Sequence, residues 1–312
     1  MDLKQLRTFL EVADHGSLTR AADSLHIAQP ALGRQIKQLE DEFGVVLFDR
    51  HGRGMTLTAT GRMLAERAQA ILRLVEDARA EISAAPKAVT GSVTLGVPPT
   101  VGEVLAGRLI ERFLKLYPSV TVRIVPAFSG YLYDLLRRGE VDLAVMYQTA
   151  EARQIKSQPL IDERLCLVGA PDALADWPGG VPFKQLAGKP LVLPGPRQGL
   201  RALLEREALK AGFALTVVVE ADALQTLKDL AGRGIGLTVL PKAAIHAEVH
   251  KQSLNAATIS EPELKRSLVL ARSLARPTSN AVRIFAEMLQ AETVAMVQEG
   301  VWEGALRVEA TP

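Results

Sequence analysis

The chain is 312 residues long, enough for two or three domains that each bury a core. Hydrophobic residues make up 48% and charged residues 23%, which excludes a disordered chain, and a net charge of +2 from 37 basic and 35 acidic residues gives no bulk field for a polyanion. The one cysteine, Cys166, excludes a disulfide scaffold and an all-cysteine metal site. The opening stretch MDLKQLRTFLEVADHG mixes charge through its first turns, unlike a secretory signal, and no run reaches the ~18 apolar residues of a membrane helix. A cytoplasmic chain is the expectation.

Residues 1–60 read as short helices with tight turns. Leu3, Leu6, Phe9, Leu10 and Ala13 recur at helical spacing until Gly16 and Ser17 break the pattern. Ser17 suits the N-cap of a second helix with Leu18, Ala21, Ala22 and Leu25 on its apolar face, and His26-Ile27 fill a turn. A third helix opens at Gln29-Pro30, buries Leu32, Ile36, Leu39 and Phe43, and ends at Gly44. Val46 to Arg50 and Met55 to Thr58 read as two strands joined by the glycine-rich tip His51-Gly52-Arg53-Gly54.

One long helix follows, over 61–84. Leu64, Ala68, Ile71, Val75, Ala78 and Ile82 are spaced 4, 3, 4, 3 and 4, a heptad seam with charged residues at most other positions. Such a stripe either lies on its own domain or pairs with a second copy. Its narrowness, and its place between two regions, favour self-association, with Ala68 and Ala78 allowing close helix approach. Ala84-Ala85-Pro86 stops the helix, and a linker runs from Lys87 to Gly91.

From Ser92 strands and helices alternate. Strands are expected at Val93 to Val97, Val120 to Val125, Val141 to Val145, Leu165 to Val168, Leu191 to Leu193, Thr216 to Val219, Gly236 to Leu240 and Ser267 to Leu270. Helices are expected at Gly102 to Leu116, Tyr131 to Arg138, Leu200 to Ala211, Leu224 to Ala231 and Ala281 to Val297. The alternation predicts parallel-type sheets covered by helices on both faces, in two small α/β lobes. Residues 299–312 read as a loosely held tail, though Val301 and Trp302 are apolar enough to pack back.

Two helices, a tight turn and a basic-tipped hairpin make a winged helix-turn-helix, whose second helix meets base edges in the DNA major groove. The candidates there are Gln29, Pro30, Gly33, Arg34 and Lys37, with Arg50 and Arg53 on the wing. Gln29 suits adenine, Arg34 guanine or phosphate, Lys37 a phosphate, and Arg53 a narrow minor groove. The plainer alternative is a small helical domain with a solvated charged face. Acids slightly outnumber bases over residues 1–60, yet none lies between Asp23 and Glu40, where the groove-facing stretch falls.

Residues 1–60 resemble the N-terminal domain of the LysR-type transcriptional regulators. The resemblance is carried by Leu6-Arg7-Thr8-Phe9, Gly16-Ser17-Leu18-Thr19-Arg20-Ala21-Ala22, His26 to Leu32, Gln35-Ile36, Leu39-Glu40, Leu47-Phe48-Asp49-Arg50 and Leu57 to Gly61. Val141 to Val145, Gly234-Ile235-Gly236 and Val239-Leu240-Pro241 resemble the effector-binding half, and Gly16 to Thr19 with His26 to Leu32 is most similar to the nitrogen-assimilation-control-like branch. Two positions depart from the pattern. Ala28 stands where the family usually has a capping serine, at a cost of about 1 kcal/mol, and Gly33 where serine is frequent.

The resemblance implies a regulator that binds a pseudo-palindromic operator as a homodimer or homotetramer, paired through the long helix. It also implies two Rossmann-like lobes, similar to periplasmic binding proteins, over 92–298. Lobe 1 would span 92–162 and 267–298, lobe 2 163–266, joined by two crossing strands. Ligands of such open α/β lobes sit at the carboxyl ends of strands. That rule selects Thr100, Val101, Ser129 and Tyr147 in lobe 1 and Arg197 and Gln198 in lobe 2, around a small, anionic effector. Some regulators of that branch work without an effector, so an empty crevice stays open as an alternative.

No catalytic constellation, cofactor or metal site is expected. Gly232 to Gly236 follows a helix and precedes a strand, the reverse of a phosphate loop; His246 and His250 lie one turn apart without a third ligand; Cys166 falls mid-strand. The rival function is a cytosolic small-molecule binding protein whose N-terminal domain makes protein contacts.

Overall fold

A computed structural model describes residues 1–51, 54–83, 89–148, 155–273 and 278–306. The chain divides into two units, residues 1–91 with 138–140 and residues 92–137 with 141–312. Arg53, the expected helix stop at 84–86 and the first two linker positions, 87 and 88, lie outside the described residues.

The first unit opens with α1 (Leu3–His15), started by a reciprocal cap in which the Gln5 amide N–H donates to Asp2 at 2.7 Å and the Asp2 N–H to the Gln5 side chain at 2.9 Å. Gly16 takes the left-handed conformation, φ 58°, and Ser17 caps α2 (Leu18–Leu25). Then come α3 (Gln29–Phe43), the wing strands β1 (Phe48–His51) and β2 (Gly54–Leu57), and α4 (Ala59–Ser83). Phe9, Val12, Ala21, Leu32, Ile36, Leu39 and Phe48 form the core. Phe43, expected in that core, is exposed instead: it stands in the last turn of α3, beyond Leu39, the last α3 residue of the core.

Two backbone approaches fix the wing. The Met55 N–H donates to the Gly16 carbonyl at 2.8 Å, and a Cβ on Gly54 would stand 2.5 Å from that oxygen. Gly61 lies against the Leu47 carbonyl oxygen with no room for a side chain, while Thr58 caps α4 by accepting from the Gly61 N–H at 2.9 Å.

The α4 seam divides. Ala68 is buried and Leu64 half-buried, both packed with Leu3, Leu6 and Leu10 of α1 in the same chain. Those two positions therefore serve the domain's own core, which corrects the reading of all six as a self-association seam. Val75 is half-buried, Ile71 and Ala78 are exposed with Met63 and Leu74 beside them, and the Ile82 side chain lies outside what is described.

The second unit is α/β. Its strands are β3 (Gly91–Val97), β4 (Val120–Pro126), β5 (Leu143–Tyr147), β6 (Ile155–Gly169), β7 (Val181–Pro182), β8 (Pro190–Leu193), β9 (Thr216–Glu220), β10 (Thr238–Pro241), β11 (Asn255–Ser260), β12 (Lys265–Ser273) and β13 (Gly304–Leu306). Its helices are α5, α6 (Ser129–Arg138), α7 (Gly199–Ala211), α8 (Leu224–Gly232), α9 (His246–His250) and α10 (Asn280–Gln298). α5 is one run of Pro99–Val101, a wider i→i+5 stretch Gly102–Ala106 and Gly107–Leu116.

The main sheet runs β4-β3-β5-β12-β6-β11-β7, with β10 and β13 also on β6. β3 and β5 are parallel, as are β8 and β9, but β6 and β12 pair antiparallel over most of their length. Those two are the crossing strands. The first half of β6 lies beside lobe 1, and from Leu165 it pairs with β10 and β11 of lobe 2. The antiparallel crossing pair makes the main sheet a mixed one, with the expected parallel pairing kept within each lobe at β3–β5 and β8–β9. Val141 and Asp142 precede β5, and Gly236 lies outside β10, held against the Pro190 carbonyl.

Residues 299–306 are no loose tail. Trp302 is 1% exposed, and β13 pairs with Ile161, Asp162 and Glu163 of β6. Residues 307–312 lie outside the described residues. Among the described residues, no helix is long and apolar enough to cross a membrane.

Candidate nucleic-acid interface and ligand cleft

α3 stands on the other two helices through Leu32, Ile36 and Leu39, and through a half-buried polar contact from the Thr8 hydroxyl to the Gln35 side chain at 2.9 Å. Its opposite face carries Gln29, Pro30, Arg34 and Lys37, all exposed, while Gly33 is half-buried with open space where a side chain would go. Gln29, Arg34 and Lys37 therefore share one outward face near the helix start, as major-groove reading requires. Ala28 supplies no side-chain cap. Instead Thr19 of α2 donates to the Gln29 side chain at 3.3 Å, a tie between the two helices that the sequence pattern does not reveal.

The acids around this face are less repulsive than their number suggests. Glu40 is buried and accepts the Leu47 N–H at 2.9 Å, Asp41 pairs with Lys37 at 2.9 Å, and Glu42 takes the chain's amino terminus. Arg34 pairs with no carboxylate among the described residues. Arg50 lies on β1, its side chain outside what is described.

The second unit holds a cleft of about 860 Å³ between its lobes. Thr100, Ser129 and Tyr147 line it from lobe 1, and Arg197 and Gln198 from lobe 2. Val101 does not. It is 1% exposed and turned into the core, because the helical twist after Thr100 carries the next side chain inward. The first turns of α5, α6 and α7 all open on the cleft.

A hydrogen-bonded chain runs inward from the cleft wall at Thr100 and Tyr147 to the buried Glu163 and Trp302. The Thr100 hydroxyl lies 3.3 Å from the Tyr147 hydroxyl, which donates to Glu163 at 2.6 Å, and the Trp302 indole N–H donates to the other Glu163 oxygen at 3.3 Å. The Tyr147 N–H donates to Ser129 at 2.9 Å, and the Arg266 guanidinium stacks on the Tyr147 ring. Burial pushes the Glu163 carboxyl up, opposed by Tyr147, Arg266 and Trp302. Burial, then the Glu163 charge, pushes the Tyr147 phenol up, so it stays a hydrogen-bond donor.

Arg266, Glu163 and Trp302 escape the strand-end rule because they come from the crossing strands and the segment beyond α10. Arg266, next to the expected strand Ser267 to Leu270, is the one that left a trace in the sequence. Other candidates lie elsewhere. Cys166 is buried, with its thiol pushed up by burial, and His246 and His250 stack on the surface with ring centroids 4.4 Å apart.

A helix-turn-helix with an exposed polar second helix, in one chain with two α/β lobes around a cleft, defines a ligand-responsive transcription regulator. A family model described as "Bacterial regulatory helix-turn-helix protein, lysR family" matches residues 3–62, and one described as "LysR substrate binding domain" matches residues 86–294. The chain belongs to the LysR family of bacterial transcriptional regulators.

It is 31% identical to the HTH-type transcriptional regulator BbuR of Bordetella bronchiseptica, over 97% of this chain and 94% of that protein. It is 33% identical to the nitrogen assimilation regulatory protein nac of Klebsiella aerogenes, over 91% and 93%. Among solved structures it is similar to a full-length cysteine-to-aspartate variant of OxyR from Pseudomonas aeruginosa, with TM-score 0.71 and 26% identity over 93% and 94% of the two chains. These relatives are regulators, and they give no support to a binding protein whose N-terminal domain makes protein contacts.

Proposed function

We propose that α3 reads a pseudo-palindromic operator with Gln29, Arg34 and Lys37, that α4 pairs two copies through the stripe of Met63, Ile71, Leu74 and Ala78, and that a small organic anion bound between the lobes sets the output. The regulator works in the cytoplasm and catalyses no reaction. The observation that carries the DNA reading is the exposed, acid-free opening of α3, with Glu40 turned inward and Asp41 neutralised by Lys37. Exposed apolar side chains on a helix whose other face is already buried support the pairing.

An anion suits the cleft because three helix starts, Arg197 and Arg266 face it, against Asp222 alone among the acids of its lining. Leu200, Leu203, Leu224 and Leu227 line the same cleft, which suits a carboxylate with an apolar body. Gel shift of the full chain on the DNA upstream of its own gene tests the first part; no retardation at low salt removes it. Calorimetry with benzoate and with short dicarboxylates tests the last part, with binding expected to weaken about tenfold in Arg266→Met.

A further inference from the structure

The walls of the cleft are also tied to each other behind the ligand space. Lys228, next to the cleft-lining Leu227 on α8, is 4% exposed, and its ammonium donates to two carboxylates. Glu103 stands on α5 in lobe 1, whereas Glu248 stands on α9 in lobe 2 and accepts at 3.1 Å. A lysine buried this deeply persists only with anionic partners, and an apolar side chain of the same size would pack there at lower desolvation cost. Ion pairs in such places serve best where two arrangements must be told apart.

The two partners are not equivalent. Glu103 belongs to the opposite lobe and its side chain is 42% exposed, so water can replace Lys228 when it leaves. Glu248 shares the lobe of Lys228, its side chain is 21% exposed, and its second oxygen is buried with no hydrogen-bond partner among the described residues. That spare oxygen gives the ammonium somewhere to turn once Glu103 is gone.

We propose that Glu103, Lys228 and Glu248 form an interlobe latch: Lys228 lets go of Glu103 when the lobes move apart, while Glu248 keeps it paired in both positions. The latch governs the opening of the cleft assigned above and rests on that reading, but it is detected without any ligand, so the two fail separately. With Glu248 in place, parting the lobes never strands a buried charge. Without it, the tie to Glu103 would be the only one and the lobes would be locked.

Hydrogen–deuterium exchange on the full chain, with no ligand added, tests this. Residues 102–106 of α5 face the turn Lys242–Ile245 of lobe 2, so their amides report the contact. In Glu103→Gln, an isosteric change at a part-exposed site, exchange at 102–106 and 242–246 is expected to rise about tenfold, with β6, β10 and α1 to α3 unchanged. Lys228→Met should reproduce the pattern, and Glu248→Gln should leave these amides at or below the wild-type rate. Wild-type exchange in Glu103→Gln overturns the latch. So does equal acceleration in Glu248→Gln, which would make the cluster ordinary packing.

Discussion

Arg34→Ala is the sharpest test of the DNA-binding face. Arg34 is exposed on α3, pairs with no carboxylate among the described residues, and so reaches the groove without first breaking a bond. A bidentate contact to guanine is worth about 1–3 kcal/mol per half-site, or ~5- to 150-fold in affinity. With two half-sites engaged the loss approaches the square of that factor. Lys37 behaves differently, because a phosphate must compete with Asp41 at 2.9 Å. An exposed pair of this spacing holds about 0.3–0.5 kcal/mol, so Lys37→Ala should weaken all DNA modestly and lower the salt slope by about 1 per subunit. Asp41→Asn should strengthen it. Fluorescence anisotropy on operator and scrambled duplexes across a salt series separates these effects. If Arg34→Ala weakens both duplexes equally, Arg34 touches only phosphate and the assignment of base reading to this face is wrong.

Other outcomes follow from packing. Ile71→Asp places a charge in the exposed stripe of α4 and should give monomers in sedimentation; an intact oligomer would move the interface elsewhere. Trp302→Ala empties a fully buried site and should cost about 3–5 kcal/mol in urea unfolding followed by circular dichroism, whereas an unchanged midpoint would return residues 299–306 to the status of a tail. Gly61→Ala drives a methyl into the Leu47 carbonyl and should destabilise the first unit by about 1–3 kcal/mol. Gly33→Ser, with open space around it, should stay within about 0.5 kcal/mol of the parent, and a large loss there would mean that α3 is packed under something.

The first three helices are legible from apolar spacing and from the punctuation at Gly16 and Ser17, Gln29 and Pro30, and Gly44, whereas the Asp2–Gln5 cap of α1 emerged only with the structure. The amphipathic stripe of α4 is legible as a stripe, but a pattern of apolar spacing says nothing of whose core it enters. Leu64 and Ala68 enter that of α1. β6 shows only its last third, Leu165 to Val168, since Lys156, Ser157, Gln158, Asp162 and Glu163 break the apolar run where the strand passes between lobes and has no single buried face. β11, Asn255–Ser260, is polar enough to pass for a loop. In the cleft, Thr100, Ser129 and Tyr147 follow from strand ends alone. Arg266 in the wall, and Glu163 and Trp302 buried behind Tyr147, do not, because the crossing strands and the segment beyond α10 bring them there.

The pairing of β6 with β12 has a consequence for how such a protein can be rebuilt. The chain leaves lobe 1 and re-enters it on neighbouring strands, where Ile161 and Leu268 stand opposite each other. Lobe 2 is therefore a guest carried on two adjacent threads, with both of its junctions side by side. Cutting and rejoining at that one spot would exchange the whole cassette for a relative's, giving half the cleft a new chemical taste while the DNA-reading helix keeps its address.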